Sequence, residues 1–226
     1  MAAGEGRRLR PLTERWPKPL LPIDGRPVIA TVARELVEAG CDRITVVTGH
    51  LAEQVEALLG EGGAFGATIR FARQPSPDGS ADAVSQALAS GASPPAIVVA
   101  ADTVFDRGAL ARFRREWDSS GAPGAIGIRP GQPRSGGKHT IAVEDGRVVR
   151  VVVEDPEGAY TPAPLWGLGE ALVPALEGLS GPPYELGEAY QRAIAAGREV
   201  RAVLIGGTRD VTSPDDLVVE NFPYLA

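Results

Sequence analysis

The sequence predicts an α/β fold, a mixed and mainly parallel sheet flanked by helices, and three observations carry that expectation. Short apolar runs rich in valine and isoleucine, "RITVVTG" at 43–49, "ATIRFARQ" at 67–74 and "PAIVVAAD" at 95–102, read as buried strands. Stretches with helical spacing separate them, which is the rhythm of a sheet covered on both faces. After Gly121 the pattern changes to short strands followed by two helices, so the sheet is mixed.

Each element has its own signal. From Pro27 to Ala39 the apolar residues Val28, Ile29, Val32, Leu36 and Val37 fall on one helical face, and Gly40 is placed to end the helix. "LAEQVEALLG" at 51–60 is a short amphipathic helix, and "SADAVSQALASG" at 80–91 is a helix for which Ser80 is the expected N-cap. The strands before and after these helices end at Gly49, Gln74 and Asp102, where an open α/β sheet places its ligand crevice. In the second half "GAIGIRP", "HTIAVEDG" and "RVVRVVVED" read as strands, the last two joined around Asp145-Gly146, a hairpin signal. Helices are expected at "GEALVPALEGL" and "YELGEAYQRAIAAG", then the strand "EVRAVLIGG" and a short helix at "SPDDLVVENF". The segment Pro130 to Gly137 reads as a loop too short to link domains, so 1–226 is read as one domain in two halves.

With 226 residues the chain suits one such domain. The hydrophobic content of 43% is that of an ordinary soluble globule, and no apolar run approaches the roughly 20 residues of a membrane span. The start, polar and basic from Gly4 to Arg15, is no secretory signal. One cysteine, Cys41, forms no internal disulfide, so a cytoplasmic location is expected and the thiol reads as a small side chain at a helix end. The net charge of −6 argues against a nucleic-acid surface. Its distribution is uneven: residues 1–26 carry six basic and three acidic side chains, net +3, which leaves −9 for the rest. A local basic loop in an acidic protein suits a small polyanion such as a triphosphate.

That loop, "AAGEGRRLRPLTERWPKPLLPIDGRP", has the chemistry to hold phosphates. Gly4 and Gly6 allow backbone amides close to phosphate oxygens, and Arg8 and Lys18 supply neutralising charge. Nucleotidyl and phosphoryl transfer ask for positioning and charge stabilisation more than for covalent help. No Gly-Lys-Ser/Thr follows, so this is not a Walker loop.

The full pattern A-A-G-x-G-x-R-L-x-P-L-T-x-x-x-P-K-P-L-L-P-I-x-G-x-P resembles the signature loop of the sugar-phosphate nucleotidylyltransferases, which include glucose-1-phosphate thymidylyltransferase and UDP-glucose pyrophosphorylase. Three further matches follow in order: "RQPSPDGSADAV" is similar to the family's base-recognition segment, "VVAAD" to the strand ending in a metal-binding aspartate, and "TRDVTSPDDL" to the W-x-D-V-x-T-P-x-D-L segment. The resemblance implies a Rossmann-like, GT-A-like nucleotidyltransferase fold, with residues 1–120 as the NTP-binding half and 121–226 as the acceptor-binding half. It implies Arg8, Lys18 and Asp102 as catalytic residues and Ala3, Gly4, Gly6, Gln74, Gly79 and Ser80 as nucleotide contacts. It also implies Glu154 at the acceptor, and Asp102 with Asp210 as ligands of Mg²⁺. The implied reaction is attack of a sugar 1-phosphate oxygen on the α-phosphate of an NTP, with release of pyrophosphate. No general base is needed, in keeping with a chain whose two histidines, His50 and His139, sit in no catalytic arrangement. NTP and a sugar-1-phosphate-like molecule are the expected partners, with no nucleic acid and no membrane; a homo-oligomer stays open.

Departures concentrate in the second half. "VVVEDP" keeps Glu154 and Pro156 but has Asp155 where the family has lysine, and Thr140 stands where many members have a glycine facing the sugar, which points to an unusual phosphorylated acceptor. Arg7 replaces a small hydroxyl residue. The family also has a buried strand ahead of its A-A-G loop, and Met1 stands where that strand would end, so the first strand is expected to be missing or truncated, with native residues upstream. The competing readings are a catalytically weak relative acting as a sensor or subunit, a glycosyltransferase whose D-x-D motif Asp102-Thr103-Val104 does not supply, and a molybdenum-cofactor guanylyltransferase lacking this loop spacing.

Overall fold

The computed structural model describes residues 1–131, 140–153 and 159–222. Most of the loop expected at 130–137, together with His139, Glu154, Asp155 and Pro156, lies outside the described residues. The opening segment folds as three single 3₁₀ turns, Arg7–Leu9, Leu12–Glu14 and Lys18–Leu20, followed by the paired strands β1 (Pro22–Ile23) and β2 (Arg26–Pro27). Proline-rich sequence without apolar periodicity cannot sustain a longer helix, and single turns are what remain.

The chain then alternates as expected: α1 (Val28–Glu38), β3 (Arg43–Thr48), α2 (Ala52–Leu59), a 3₁₀ turn Gly63–Phe65, β4 (Thr68–Arg73), α3 (Ser80–Ala89) and β5 (Ala96–Val99). Gly40 adopts φ 82° just beyond α1, the left-handed conformation that ends a helix cheaply only at glycine. After β6 (Thr103–Phe105) comes α4 (Ala109–Ser120), a helix the sequence reading did not single out. Its signal was present: Leu110, Phe113 and Trp117, all buried, recur on one face of a run otherwise crowded with arginine and acid.

The second half contains β7 (Gly124–Pro130), β8 (Thr140–Glu144), β9 (Arg147–Val153), β10 (Tyr160–Leu168), a 3₁₀ helix Glu170–Leu176, α5 (Leu186–Ala195), β11 (Val200–Leu204), β12 (Thr208–Asp210) and α6 (Pro214–Asn221). The segment at 169–179, expected as an ordinary helix, is a 3₁₀ helix with Pro174 inside it. A proline there has no N–H to give and its ring crowds the carbonyl one turn back, so the regular α-helical ladder cannot form.

A six-stranded sheet in the order β5-β10-β7-β11-β9-β8 forms the centre. The expected mixed character is present. The parallel pairs are β3 with β4 and β7 with β11, and the other sheet pairings are antiparallel, including the β8–β9 hairpin around Asp145-Gly146. Alternation along the strands feeds two cores. Ala125, Leu165 and Val203 point to one face, beneath α1 and α4, where Val32, Leu36, Phe113 and Trp117 cover them. Ile126, Leu168 and Ala202, on the neighbouring positions, point to the other face, beneath α3 and α5, where Val84, Leu186, Tyr190 and Ala193 meet them. Helices on both faces leave the strand ends as the place for an open site.

Residues 1 and 2 lie between β3 and β5. The Met1 amine donates to Val99 O at 2.8 Å, Ala101 N donates to Met1 O at 2.9 Å, and Ala2 N donates to Val47 O at 2.7 Å, with Ala2 bridging Thr48 in parallel. One residue pair thus spans the gap, which puts β3 and β5 two strand spacings apart. Among the described residues no further strand fills that gap, and a cavity of about 400 Å³ continues it, lined by Ile44 and Val46 of β3, Ile97 and Val99 of β5, and Leu36 of α1. Burial lowers the pKa of the Met1 amine from 8.0 to about 6, against the opposing pull of Asp102.

The slot yields a prediction. A folded amine with a lowered pKa releases a proton that the unfolded chain still holds, so stability rises with pH between about 6 and 8 and is lost as pH falls through that window. A chain beginning at Met1 should show this rise in its urea midpoint. The same chain preceded by five residues of valine and isoleucine should lose the dependence and unfold several degrees higher, because the added segment pairs both edges and removes the buried amine. Equal midpoints for the two chains across that pH range would refute the assignment of the cavity as a strand slot.

Candidate functional site

The opening loop is fastened from behind. Gly6 has φ 62°, and a Cβ there would approach Thr13 Cγ2 to 2.9 Å, so the position requires glycine on two counts. Thr13, 1% exposed, donates its hydroxyl to Gly6 O at 3.0 Å. His50, just beyond β3, reaches Thr13 O at 2.6 Å through Nε2. A carbonyl only accepts, so Nε2 carries the hydrogen. Gln54 on α2 donates to Arg15 O at 2.9 Å. At the exposed front Glu5 accepts from Arg7 at 2.7 Å and from Arg10 at 3.4 Å, while Arg8 has no hydrogen bond or ion pair among the described residues.

In front of the loop lies a cavity of about 340 Å³, lined by Gly4, Gly6, Arg8, Lys18, Asp102 and Thr212 among others. Lys18 Nζ donates to Asp102 Oδ2 at 2.5 Å, joining the loop to the turn after β5. A Cβ on Gly4 would meet nothing within 4 Å, so the backbone here opens onto the cavity. The structure therefore unites five of the residues singled out from the sequence. Ala3 is not among the cavity residues; its side chain is buried with Val47, Ala72 and Ala83.

Asp210 arrives from the far end of the chain. β12 pairs antiparallel with β6 and sets Asp210 opposite Thr103, the neighbour of Asp102. Burial pushes the Asp210 carboxyl above its ordinary pKa and Asp102 adds to that, while Lys18 and Arg129 pull it back. Asp102, Asp210 and Lys18 thus share one electrostatic neighbourhood. Among the described residues no group of three or more His, Cys, Asp or Glu is placed to hold a metal. Asp102 and Asp210 feel each other's charge, and two hard oxygen donors short of a full cage suit a cation that keeps waters and phosphate oxygens as ligands, as Mg²⁺ does.

The strand bearing Asp210 is itself held by Arg209, which donates to Asp24 at 2.6 and 2.9 Å and to Glu220 at 2.5 Å. Those contacts tie β12 and α6 to the β1–β2 turn at Asp24, a short way along the chain from Lys18. Next to it, Asp216 Oδ2 accepts from Thr212 N, Thr212 Oγ1 and Ser213 N, and Ser213 Oγ accepts from Asp216 N, a complete capping box. This places Asp216 in helix capping.

Gln74, Gly79 and Ser80 form a second group. Gln74, 6% exposed at the end of β4, donates from Nε2 to Gly79 O at 2.9 Å and to Asp82 Oδ2 at 2.7 Å. Ser80 is not the N-cap expected of it. Gly79 occupies that position with φ 110° and no side-chain cap, while Ser80 Oγ donates to Glu185 Oε2 at 2.6 Å and accepts from Leu186 N at 2.8 Å, capping the start of α5 instead. The glycine is held so near Tyr184 that a Cβ would lie 2.3 Å from its carbonyl, and this close approach carries Ser80 toward α5. Cys41 is half-buried against the core, and burial raises its thiol pKa, in keeping with a packing role. Glu154 lies outside the described residues.

Known proteins share the family and the fold of this chain. The model of the family described as Nucleotidyl transferase matches residues 1–219. N-acetylmuramate alpha-1-phosphate uridylyltransferase of Neisseria meningitidis serogroup B is 38% identical over 117 residues, covering 50% of this chain and 50% of that protein. The low-salt glycan biosynthesis nucleotidyltransferase of Haloferax volcanii is 29% identical over 231 residues, covering 98% of this chain and 64% of the relative. The chain thus spans about half to two thirds of the length of these relatives. A solved structure of UDP-glucose pyrophosphorylase complexed with UDP-glucose superposes with a TM-score of 0.83 at 19% identity, over 99% of this chain and 96% of that one, and so shares the fold.

The fastening of the loop is testable by itself. Thr13→Val keeps the shape of a buried side chain and removes its bond to Gly6 O. It should lower stability by about 1 kcal/mol in urea unfolding, the usual cost of a lost buried hydrogen bond. An unchanged midpoint would show that the hydroxyl contributes nothing to holding the loop.

Proposed function

The chain belongs to the nucleotidyl transferase family, and from that premise we propose that it transfers a nucleoside monophosphate from an NTP to a sugar 1-phosphate or similar phosphorylated acceptor, releasing pyrophosphate and forming an NDP-sugar. The observation that carries the reading is the cavity in which Gly4, Gly6 and Arg8 of one loop face the Lys18–Asp102 pair. An acceptor phosphate oxygen forms a bond to the α-phosphorus while the bond from that phosphorus to the bridging oxygen of the β-phosphate breaks, and pyrophosphate leaves with the electron pair. The attacking phosphate is already ionised, so no side chain has to remove a proton. His50, spent on the carbonyl of Thr13, is consistent with that.

In this reading the backbone amides around Gly4 and Gly6 hold the triphosphate, with Ala3 fixing the start of the loop from the core. Arg8, without a partner among the described residues, takes charge that accumulates on the departing pyrophosphate. Lys18 offers its ammonium to the α-phosphate and the acceptor phosphate once phosphates compete with Asp102 for it. Asp102 and Asp210 would hold Mg²⁺, which when bound supplies neutralisation of the phosphate charge. Gln74 contacts the base, and Gly79 and Ser80 bring main-chain amides from the first turn of α3, which lack intrahelical partners. Residues 1–120 serve the NTP and 121–226 the acceptor, Glu154 among them. The name of the Neisseria relative joins a uridylyl group to a sugar phosphate, which supports the acceptor class.

Pyrophosphate release measured with Mg²⁺ over a grid of NTPs and sugar 1-phosphates tests the proposal. Release is expected to require one NTP and one acceptor together. Asp102→Ala and Lys18→Met should each lower it by about 10²- to 10³-fold, the scale for losing one charge-stabilising group. Binding of NTP without release for any acceptor would instead favour a sensor or subunit, and release that survives Asp102→Ala would remove that residue from the chemistry.

A further inference from the structure

The group around Gln74 contains more than a base contact. An amide nitrogen has two hydrogens, and both are taken: one by Gly79 O at 2.9 Å, the other by Asp82 Oδ2 at 2.7 Å. Both partners are acceptors only, a carbonyl and a carboxylate, so they fix which end of the Gln74 amide faces them. Asp82 is itself braced, because its second oxygen accepts from Gln86 Nε2 at 3.3 Å, one turn further along α3. It also occupies the first turn of that helix, where a negative charge is favoured by the aligned backbone dipoles. Gly79 cannot shift away, since Tyr184 lies against it and Tyr184 N donates to Asp78 O at 2.6 Å. What remains of the Gln74 side chain is Oε1, which accepts no hydrogen bond among the described residues.

We propose that Asp82 is the positioning residue for base selection: by holding the Gln74 amide in one orientation it makes that side chain an acceptor only, so that the nucleotide must bring an N–H to it. The inference rests on the NTP reading above. At one fixed base position Oε1 meets the imide N–H of uracil, thymine or guanine, whereas cytosine and adenine turn a bare ring nitrogen to the same place and are rejected. An unpinned glutamine would discriminate less, because a half-turn of its amide exchanges donor for acceptor. Loss of one matched hydrogen bond to a buried group, with its partner left unpaired, is the usual source of such discrimination.

The test compares wild type with Asp82→Asn and Asp82→Ala. Asparagine has nearly the same shape but can turn its own NH₂ to Gln74 Oε1, which lets the glutamine present a donor; alanine removes the brace altogether. For each protein, dissociation constants and kcat/KM are measured for ATP, CTP, GTP and UTP, and thermal unfolding checks that the fold is retained. In both variants the ratio between the preferred base and the others should shrink by about tenfold or more. The change should lie in KM and the dissociation constants, with the largest gain for a base rejected by the wild type. A 3-methyluridine triphosphate probe, which lacks the imide N–H, should gain relative to UTP in Asp82→Asn. Ratios within twofold of wild type in both folded variants overturn the inference and leave NTP binding standing. A folded wild type that binds none of the four NTPs overturns the reading beneath it, and the inference with it.

Discussion

The ion pair between Lys18 and Asp102 is the contact on which the rest of the site depends. It joins residues 84 apart in the chain at 2.5 Å, and so it draws the proline-rich opening segment across the end of β5. Its chemistry has a second consequence. Asp210 is half-buried and feels the charge of Asp102, and burial together with that repulsion raises its pKa. A cation between them relieves that repulsion, and Lys18 supplies one from the protein itself. In the proposed reaction a polyphosphate with a divalent cation would offer the same neutralisation from outside and free the lysine to bind phosphate. One set of charges thereby stabilises both the protein alone and the complex proposed for it.

Holding that pair in place takes contacts from every part of the chain. Thr13 and His50 support the loop from the side of β3, while Arg209 ties the strand of Asp210 to the β1–β2 turn through Asp24 and Glu220. The Arg209 cluster is half open to water, so its worth lies in geometry more than in energy. Bidentate pairing with Asp24 fixes direction as well as distance, which a lysine could not do. The aspartates can therefore be positioned from distant parts of the sequence without either lying in a regular helix.

How much of this the sequence revealed follows from the range of each interaction. The elements α1, β3, α2, β4, α3, β5 and α5 were legible because period and flanking glycines are local. The 3₁₀ helix at Glu170–Leu176 was misjudged because its apolar pattern outweighed Pro174, and α4 was missed because its charge masked three core residues. In the site, Gly4, Gly6, Arg8, Lys18 and Asp102 were found through the motif, and the structure brings them to one cavity. His50, Arg209 and Asp82 were not found, because their partners lie 37, 185 and 8 residues away and no spacing rule connects them. Ser80 shows the opposite error. A serine before a helix is a sound local cap, but a glycine pressed against Tyr184 placed it within reach of another helix, and the tertiary contact prevailed.

The slot between β3 and β5 and the opening loop are mechanically one feature, because Met1 lines both cavities. Its carbonyl accepts from Ala101 N, one residue before Asp102, and Ala2 is bonded to Val47 on the other side. The backbone that ends in Gly4 is thus clamped by two strands whose own edges below that point have no partner among the described residues. Any drift of β3 from β5 would move Asp102 relative to Gly4, and through Lys18 it would pull on the loop as well. Catalytic sites lose rate steeply with displacements of about 1 Å, so the order of this site is set by how firmly two sheet edges are held apart by one strand width.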